Sequence, residues 1–418
     1  MRFSLMKKKL HIHSDNSSWA GCENMPGIFL QNKVLNNEFD LTFSYRYSKE
    51  YVKGFNEWVT GIFCKSANER IDSSKRDVFP LRLPISFLYK IRLYFRPVMA
   101  LGYFFMLYEG FVLCKLIGQL RPDVLHINNG GYPGATSCNS AAIAGRLMGV
   151  PKITYMINST TKNRWWERPM TWLVKKCVTK FITASKYCRD QSKFLWVSII
   201  VKENASNGKN WVTINWEVIP NTVLSRECTS IWLLRGGLDK AIKKSDIMFL
   251  CVGNFEERKG FKDAIEAFGK IKCDNPRVLV IGGSGPEGSN LKKLAEASTS
   301  LVLVEENDDF DTYSLIKSCD VLLVPSIRDE DFPNVILIGL MMGKPIVASN
   351  ICGIPELFKS DFTYLINPGD VSRLKVLVSR LLLEAGERKR LGAANKQLFL
   401  DQYSTDKIIE RYIDLWTQ

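Results

Sequence analysis

Apolar and polar positions along the chain follow one rhythm: short, nearly continuous runs of Val, Ile and Leu alternate with amphipathic stretches of helical period. In the second half the runs are IMFLCVG, RVLVIGG, LVLVEE, DVLLVPS and KPIVAS, and the stretches between them include FKDAIEAFGKI and DTYSLIKSC. The first half repeats the rhythm with KKLHIHS, FDLTFSY, PDVLHIN, KITYMIN and KFITAS. A strand that is apolar along its whole length has both faces buried, which is the signature of a parallel sheet covered by helices on both sides. The pattern predicts an α/β chain of two Rossmann-like, doubly wound domains facing across a cleft. Their expected bounds are 1–220 and 221–400, with the seam near VIPN, Val218–Asn221. A helix over 401–418 is expected to pack back toward the first domain. Ligands of such sheets bind outside the carboxyl ends of the strands, so the cleft between the domains is the expected site.

One segment breaks the rhythm. From Ile85 to Leu120 the chain is rich in aromatic residues, and Pro97 should divide it into two helices. Two readings stand beside each other. In one, an amphipathic surface lies on a membrane with Arg92 and Arg96 meeting headgroups. In the other, the segment is a buried helix pair of the first domain. No run reaches the roughly 20 charge-free apolar residues of a spanning helix.

With 418 residues the chain is too long for one ordinary core. Its charge sharpens the division into halves. The formal net charge is +14. Residues 1–200 hold 29 Lys+Arg against 13 Asp+Glu, a balance of +16, and the remainder holds 28 against 30, a balance of −2. A field so placed favours anionic partners such as phospholipid surfaces, lipid phosphates or nucleic acid. No recognisable nucleic-acid-binding motif accompanies it. The 11 cysteines are odd in number and form no C-x-x-C pair. Residues such as Cys251 and Cys319 fall in or beside apolar runs, so reduced core thiols are expected rather than disulfides or a zinc site. The N-terminus lacks an apolar stretch long enough for a signal peptide. The expected location is cytoplasmic, peripheral on the inner face of the cytoplasmic membrane.

Three segments carry candidate chemistry. In VGNFEERKGF, Val252–Phe261, a strand ends at Gly253 and Arg258-Lys259-Gly260 opens a helix, so amides and two cations can meet a diphosphate. In VLVIGGSGPEG, Val278–Gly288, glycines after a strand let backbone approach a phosphate or sugar closely. In Pro325–Ser349 an acidic loop leaves a strand, Pro333 starts a helix and Gly343 ends it. Glu330 in that loop can hold sugar hydroxyls. Each segment alone also reads as an ordinary turn. Their order and βα spacing are more specific than any one of them.

Taken together, Val218–Trp416 resembles the retaining glycosyltransferases of family four, which have the GT-B fold. The matching pieces are VIPN, VGNFEERKG, VIGGSGP, CDVLLVPS, E-x-FPNVIL, GKPIVAS, CGIPEL and FLDQYSTDKIIERYIDLW. WAGCENM (Trp19–Met25) and PDVLHINNGGYPGA (Pro122–Ala135) look like the family's first loop and central strand. By this resemblance the donor lies against the second domain. Lys259, helped by Arg258, neutralises its diphosphate, and Glu330 bonds its sugar hydroxyls. Gly253 and Asn254 line the donor, Gly283, Gly285 and Pro286 give it room, and the amides of Phe332, Pro333, Asn334 and Val335 mark the helix start near the phosphate. Gly21, His13 and Asn158 fall on the acceptor side. No protein nucleophile, cofactor or metal is implied, because the nucleotide-sugar is a substrate. The implied partners are that donor, a lipid-linked glycan acceptor and the inner-membrane surface, with no nucleic acid.

The sequence departs from the family at three places. The family's second Glu, eight positions after the first, is Ile338 here; the Arg after the VG glycine is Asn254; and a His after KITYMI is Asn158. Three further patterns are weaker. Asp309-Phe310-Asp311 spells D-x-D, a metal motif in unrelated glycosyltransferases, although a solvated acidic loop is the better reading. His11 and His13 share one side of a strand and, with His126, suggest either a metal or core histidines. Lys175, Lys176 and Lys180 read as a helix face in water with some attraction to a membrane. The expected activity is hexosyl transfer in lipopolysaccharide-type surface-polysaccharide synthesis. The alternatives are a catalytically impaired scaffold of the same fold and a nucleotide-sugar epimerase.

Overall fold

The fold is described from a computed structural model. The structure describes residues 7–16, 19, 21–60, 78–83, 98–132, 135–159, 167–197, 215–225, 246–272, 274–298, 300–306 and 311–418. The chain forms two compact units, one built from Met1–Ile62, Ala67–Pro220 and Ile408–Gln418, the other around Asn221–Lys407.

In the first unit the strands are β1 (Lys8–Ser14), β2 (Phe39–Arg46), β3 (Val78–Leu81), β4 (Val124–Asn129), β5 (Lys152–Ile157), β6 (Lys180–Thr183) and β7 (Trp216–Val218). They make one parallel sheet in the order β3-β2-β1-β4-β5-β6-β7. In the second unit β8 (Ile247–Val252), β9 (Arg277–Gly283), β10 (Leu301–Glu305), β11 (Val321–Val324), β12 (Ile346–Ser349) and β13 (Leu365–Ile366) make another, in the order β10-β9-β8-β11-β12-β13. Both sheets share the doubly wound order in which the chain starts centrally, moves to one edge, and returns to fill the other. The direction reverses between β1 and β4 and between β8 and β11. Those two gaps are where such sheets bind ligands, and every strand run read from the sequence is present.

Inward residues of the second sheet, Phe249, Leu279, Ile281 and Leu323 among them, pack under helices Phe261–Gly269 and Val371–Leu383. In the first unit Leu125, Ile127 and Ile153 meet Leu113 and Ile117 of helix Val98–Leu120 and Cys138 and Ala141 of helix Thr136–Leu147. Of the segment Ile85–Leu120, residues 98–120 form this helix, while Arg92, Arg96 and Pro97 lie outside the described residues. The closing helix Thr405–Thr417 ends within the first unit, where Trp416 Nε1 donates to Thr154 Oγ1 at 3.3 Å and its ring stands edge-on to Phe29. Lys152 Nζ caps the same helix end at Leu415 O, 2.9 Å away. Cys251 and Cys319 are buried and the described cysteines are free. No helix among the described residues is long and apolar enough to cross a membrane.

Candidate functional site at the second sheet

The second unit's reversal point is built by two loops. After β8 the chain turns through Gly253 and Asn254 into a short 3-10 turn, Glu257–Lys259, and then into helix Phe261–Gly269. After β11 it runs through Pro325 and Ser326 to helix Asn334–Met341. The two loops are fastened together by Ile327 N donating to Arg258 O at 2.8 Å. Gly260 lets them close: its φ is +66°, and a Cβ there would lie 2.0 Å from Pro325 O. A side chain at Gly260 would need both a left-handed backbone and a displaced partner loop.

This closure brings three expected residues into contact. Arg258 Nη1 donates to Glu330 Oε1 at 3.0 Å, and Lys259 Nζ donates to the same oxygen. Ser326 Oγ adds a bond at 3.3 Å. Arg258 also bonds Glu256 and, at 3.1 Å, Asp329 O, while Asp329 itself sits at φ +52°. Glu330 is only 8% exposed, and the cations retain more exposure than the carboxylate they hold. An ion cluster of this kind can exchange partners: a diphosphate can take a share of Lys259 and Arg258, and a carboxylate so released can accept sugar hydroxyls. Ser326 and Glu256 were not singled out from the sequence. The Ser at the end of DVLLVPS, at a strand's carboxyl end, was the available signal.

The glycine loop after β9 joins the same edge. Gly283 has φ +145°, and a Cβ on it would fall 2.0 Å from Gly253 O. Phe255 N donates to Ser284 O at 2.6 Å, and Glu287 N donates to Phe255 O at 2.9 Å, so the β8 and β9 loops are one backbone assembly. Gly285 and Pro286 are exposed at its rim, as is Asn254. Phe332 is buried against Tyr403, and Pro333, Asn334 and Val335 lead into the helix half-buried. Ile338 is 4% exposed and faces the core. At that position the chain supplies packing where the family has a carboxylate.

In the first unit His13 is fully buried. It points inward from β1, with Nδ1 2.9 Å from Ser44 Oγ and Nε2 3.0 Å from Ser137 Oγ. Burial pushes its pKa down to about 4, and that of His11 and His126 to about 3, so all three are neutral struts. Among the described residues no cluster of His, Cys, Asp and Glu could hold a metal. Asn158 follows β5; its Nδ2 donates to Asn128 Oδ1 at 2.8 Å, and its Oδ1 is buried with no bond among the described residues. Gly21 opens the 3-10 turn Gly21–Glu23. Of D-x-D, Asp309 and Phe310 lie outside the described residues. Asp311 caps helix Thr312–Ser318 by accepting from Tyr313 N and Ser314 N, both at 3.1 Å.

The sequence also gave no warning of a buried charge network at the carboxyl ends of β1 and β2. Arg46 Nε donates to Asp15 Oδ1 at 2.6 Å and its Nη2 to Glu109 Oε1 at 3.0 Å, while Ser137 N and Oγ complete Asp15. Burial works to raise the Asp15 carboxyl, but the Arg46 guanidinium wins and holds it below the usual carboxylate range. Glu23 is buried nearby, and its donors among the described residues are neutral, Ser14 Oγ at 2.7 Å, Tyr51 OH at 2.8 Å and Asn16 among them. Burial outweighs those bonds and raises its pKa to about 7.

Solved structures with this fold include the Anabaena protein HepE in complex with UDP, at TM-score 0.65 and 14% identity, covering 97% of this chain and 99% of that one. A glycosyltransferase from Rickettsia africae aligns at TM-score 0.70 and 14% identity, covering 98% of each chain. At such identity the likeness establishes the fold, which is of the GT-B type. Residues 239–398, most of the second unit, match the model of the glycosyl transferases group 1. Curated relatives include N-acetyl-alpha-D-glucosaminyl L-malate synthase of Bacillus anthracis, 25% identical over 41% of this chain and 45% of that protein. The lipopolysaccharide core biosynthesis glycosyltransferase LpsE of Rhizobium meliloti is 29% identical over 40% and 48%. The O-antigen chain mannosyltransferase C of Escherichia coli is 25% identical over 41% and 47%. The matched stretch thus spans about half the length of these relatives.

Proposed function

We propose that the chain is a retaining glycosyltransferase that moves a sugar from a nucleotide-sugar to a lipid-linked oligosaccharide or polysaccharide acceptor, at the cytoplasmic face of the membrane. The observation that carries this reading is the convergence of Lys259, Arg258 and Ser326 on Glu330 at the reversal point of the second sheet. Lys259 and Arg258 neutralise the donor diphosphate, the glycine loop at Gly283 and Gly285 admits it, and Glu330 orients the sugar through its hydroxyls. In the transfer, the bond from the anomeric carbon to the phosphate oxygen breaks. The acceptor oxygen bonds to that carbon on the same face, and the acceptor proton passes to the leaving phosphate. The protein's contribution is electrostatic stabilisation of that leaving group, a few kcal/mol for each well-placed donor. UDP bound to HepE and the lipopolysaccharide and O-antigen roles named for LpsE and mannosyltransferase C support the donor and acceptor classes.

A second reading, a relative that binds without transferring, is favoured by Ile338, which leaves the ribose without its usual carboxylate. A panel of UDP-, GDP-, ADP- and TDP-sugars, scored by thermal shift, separates the two. A ligand of the folded state at a hundredfold excess over its Kd adds about 2.7 kcal/mol of apparent stability. Stabilisation by one nucleotide class followed by transfer supports the first reading. Stabilisation without transfer supports the second, and no stabilisation by any of them rejects the donor site. An epimerase is disfavoured because the histidines that would serve as acid and base are buried and neutral.

A further inference from the structure

Helices Val98–Leu120, Thr136–Leu147 and Arg168–Cys177 precede β4, β5 and β6 in turn. Right-handed crossovers across that half of the sheet place them on one face, and they pack there side by side in that order. Their inner sides fill the core with Leu113, Ile117, Ala141 and Val174. Their outer sides are unusual. Leu107 and Phe111, one helical turn apart, are 73% and 71% exposed, with Tyr108 beside them. Leu147 and Met148 end the second helix exposed, and Leu173 is exposed on the third. Among the described residues of the first unit, Val34 and Tyr47 are the exposed large apolar side chains that lie elsewhere.

The charges on this layer have one sign. The helices carry Lys115, Arg146, Arg168, Lys175 and Lys176, and Lys176 rests over the Trp172 ring. Their one acid, Glu109, is buried and paired with Arg46. Water-facing helices ordinarily intersperse both signs and expose few large apolar groups. A second copy of the chain seated on this layer would set cations against cations. A surface of anionic headgroups above hydrocarbon satisfies both features at once.

We propose that this three-helix layer of the first unit docks on an anionic phospholipid bilayer, Leu107 and Phe111 entering it and the lysines and arginines meeting its headgroups. The purpose of docking rests on the lipid-linked acceptor inferred above, but the contact itself is measured without any sugar. The test is co-sedimentation of the full chain with phosphatidylcholine vesicles with and without phosphatidylglycerol. Binding is expected to rise steeply with the anionic lipid. Phe111→Glu should lower partitioning at least about tenfold, as when one large apolar side chain is withheld from hydrocarbon. The double variant Lys175→Glu/Lys176→Glu should lose about tenfold or more on anionic vesicles. Leu383→Glu, at an exposed apolar residue of the second unit, should bind as the parent does. Unchanged unfolding midpoints confirm that the variants fold, and Leu107→Asp stands in if Phe111→Glu does not. Equal binding to both vesicles, equal effects of Phe111→Glu and Leu383→Glu, or a dimer that Phe111→Glu dissociates in the absence of vesicle binding would each overturn the proposal. Transfer to a water-soluble acceptor analogue reports on the functional reading separately.

Discussion

Arg258 meets Glu330 across 72 positions of sequence, its Nη1 donating to Oε1 at 3.0 Å. The same oxygen accepts from Lys259 and Ser326. A carboxylate held this way is positioned but not committed, because its two cationic partners, Arg258 and Lys259, stay partly open to solvent.

Lys259→Ala should therefore lower kcat by about 10²–10³, the range found when one preorganised donor to a developing oxyanion is removed. Glu330→Gln should keep the side chain's shape, lose sugar orientation, and lower transfer to a similar degree. Both variants should show unfolding midpoints close to the parent's, since Arg258 retains Glu256 and the Asp329 carbonyl. Full transfer by either variant, measured as product formed from the matched nucleotide-sugar, would remove these residues from the site.

Gly260→Ala should cost more than any side-chain truncation in the loop. The αL backbone alone costs about 1 kcal/mol for alanine, and the Pro325 carbonyl has to move out of the way of the new Cβ as well. The joined loops then separate, and nucleotide-sugar stabilisation in a thermal shift should disappear even where the unit still unfolds cooperatively. A G260A protein with parental donor stabilisation would refute the account of the site's closure.

The strands of both sheets were legible because their runs are apolar on both faces. β3, β7 and β13 were not, being edge strands of two to four residues: VFPL is broken by Pro80, WEV is half-buried, and LI is too short to carry a period. Glu330, Lys259 and the glycines were legible as a motif order. Their mutual contact was not, since it depends on Gly260 letting two distant loops touch. The alternation of His11 and His13 was read correctly as one side of a strand, but alternation does not say which side is buried. Asp15, Arg46 and Glu109 come from three separate elements, and nothing local in the sequence announces that they meet.

Arg46→Met tests that last cluster. The substitution leaves Asp15 and Glu109 buried without their cation, a change expected to cost about 3–5 kcal/mol. Chemical denaturation should report it as a fall in the midpoint with an unchanged slope. A loss below about 1 kcal/mol would mean that water or rearrangement already screens the pair.

Glu23 gives the chain a stability that depends on pH in an unusual direction. Burial raises its folded pKa to about 7, against an ordinary value of 4.5, and the bonds from Ser14, Asn16 and Tyr51 only partly offset that. Between those two values the folded state holds a proton that the unfolded state has released, so stability falls as pH rises through the window and levels off above about 7. The span corresponds to about 3 kcal/mol at 1.36 kcal/mol per unit. His11, His13 and His126 work the opposite way, since their lowered pKa values remove stability as pH drops below about 6.5. The parent alone would show a mixture of the two trends. The difference in unfolding free energy between the parent and Glu23→Gln cancels the histidines and isolates the carboxyl. That difference should move against the parent by about 3 kcal/mol from pH 4.5 to 7 and then stay level. A difference that is flat across the whole range would mean that Glu23 ionises as readily inside the fold as in water, and that its neutral donors suffice to hold the charge.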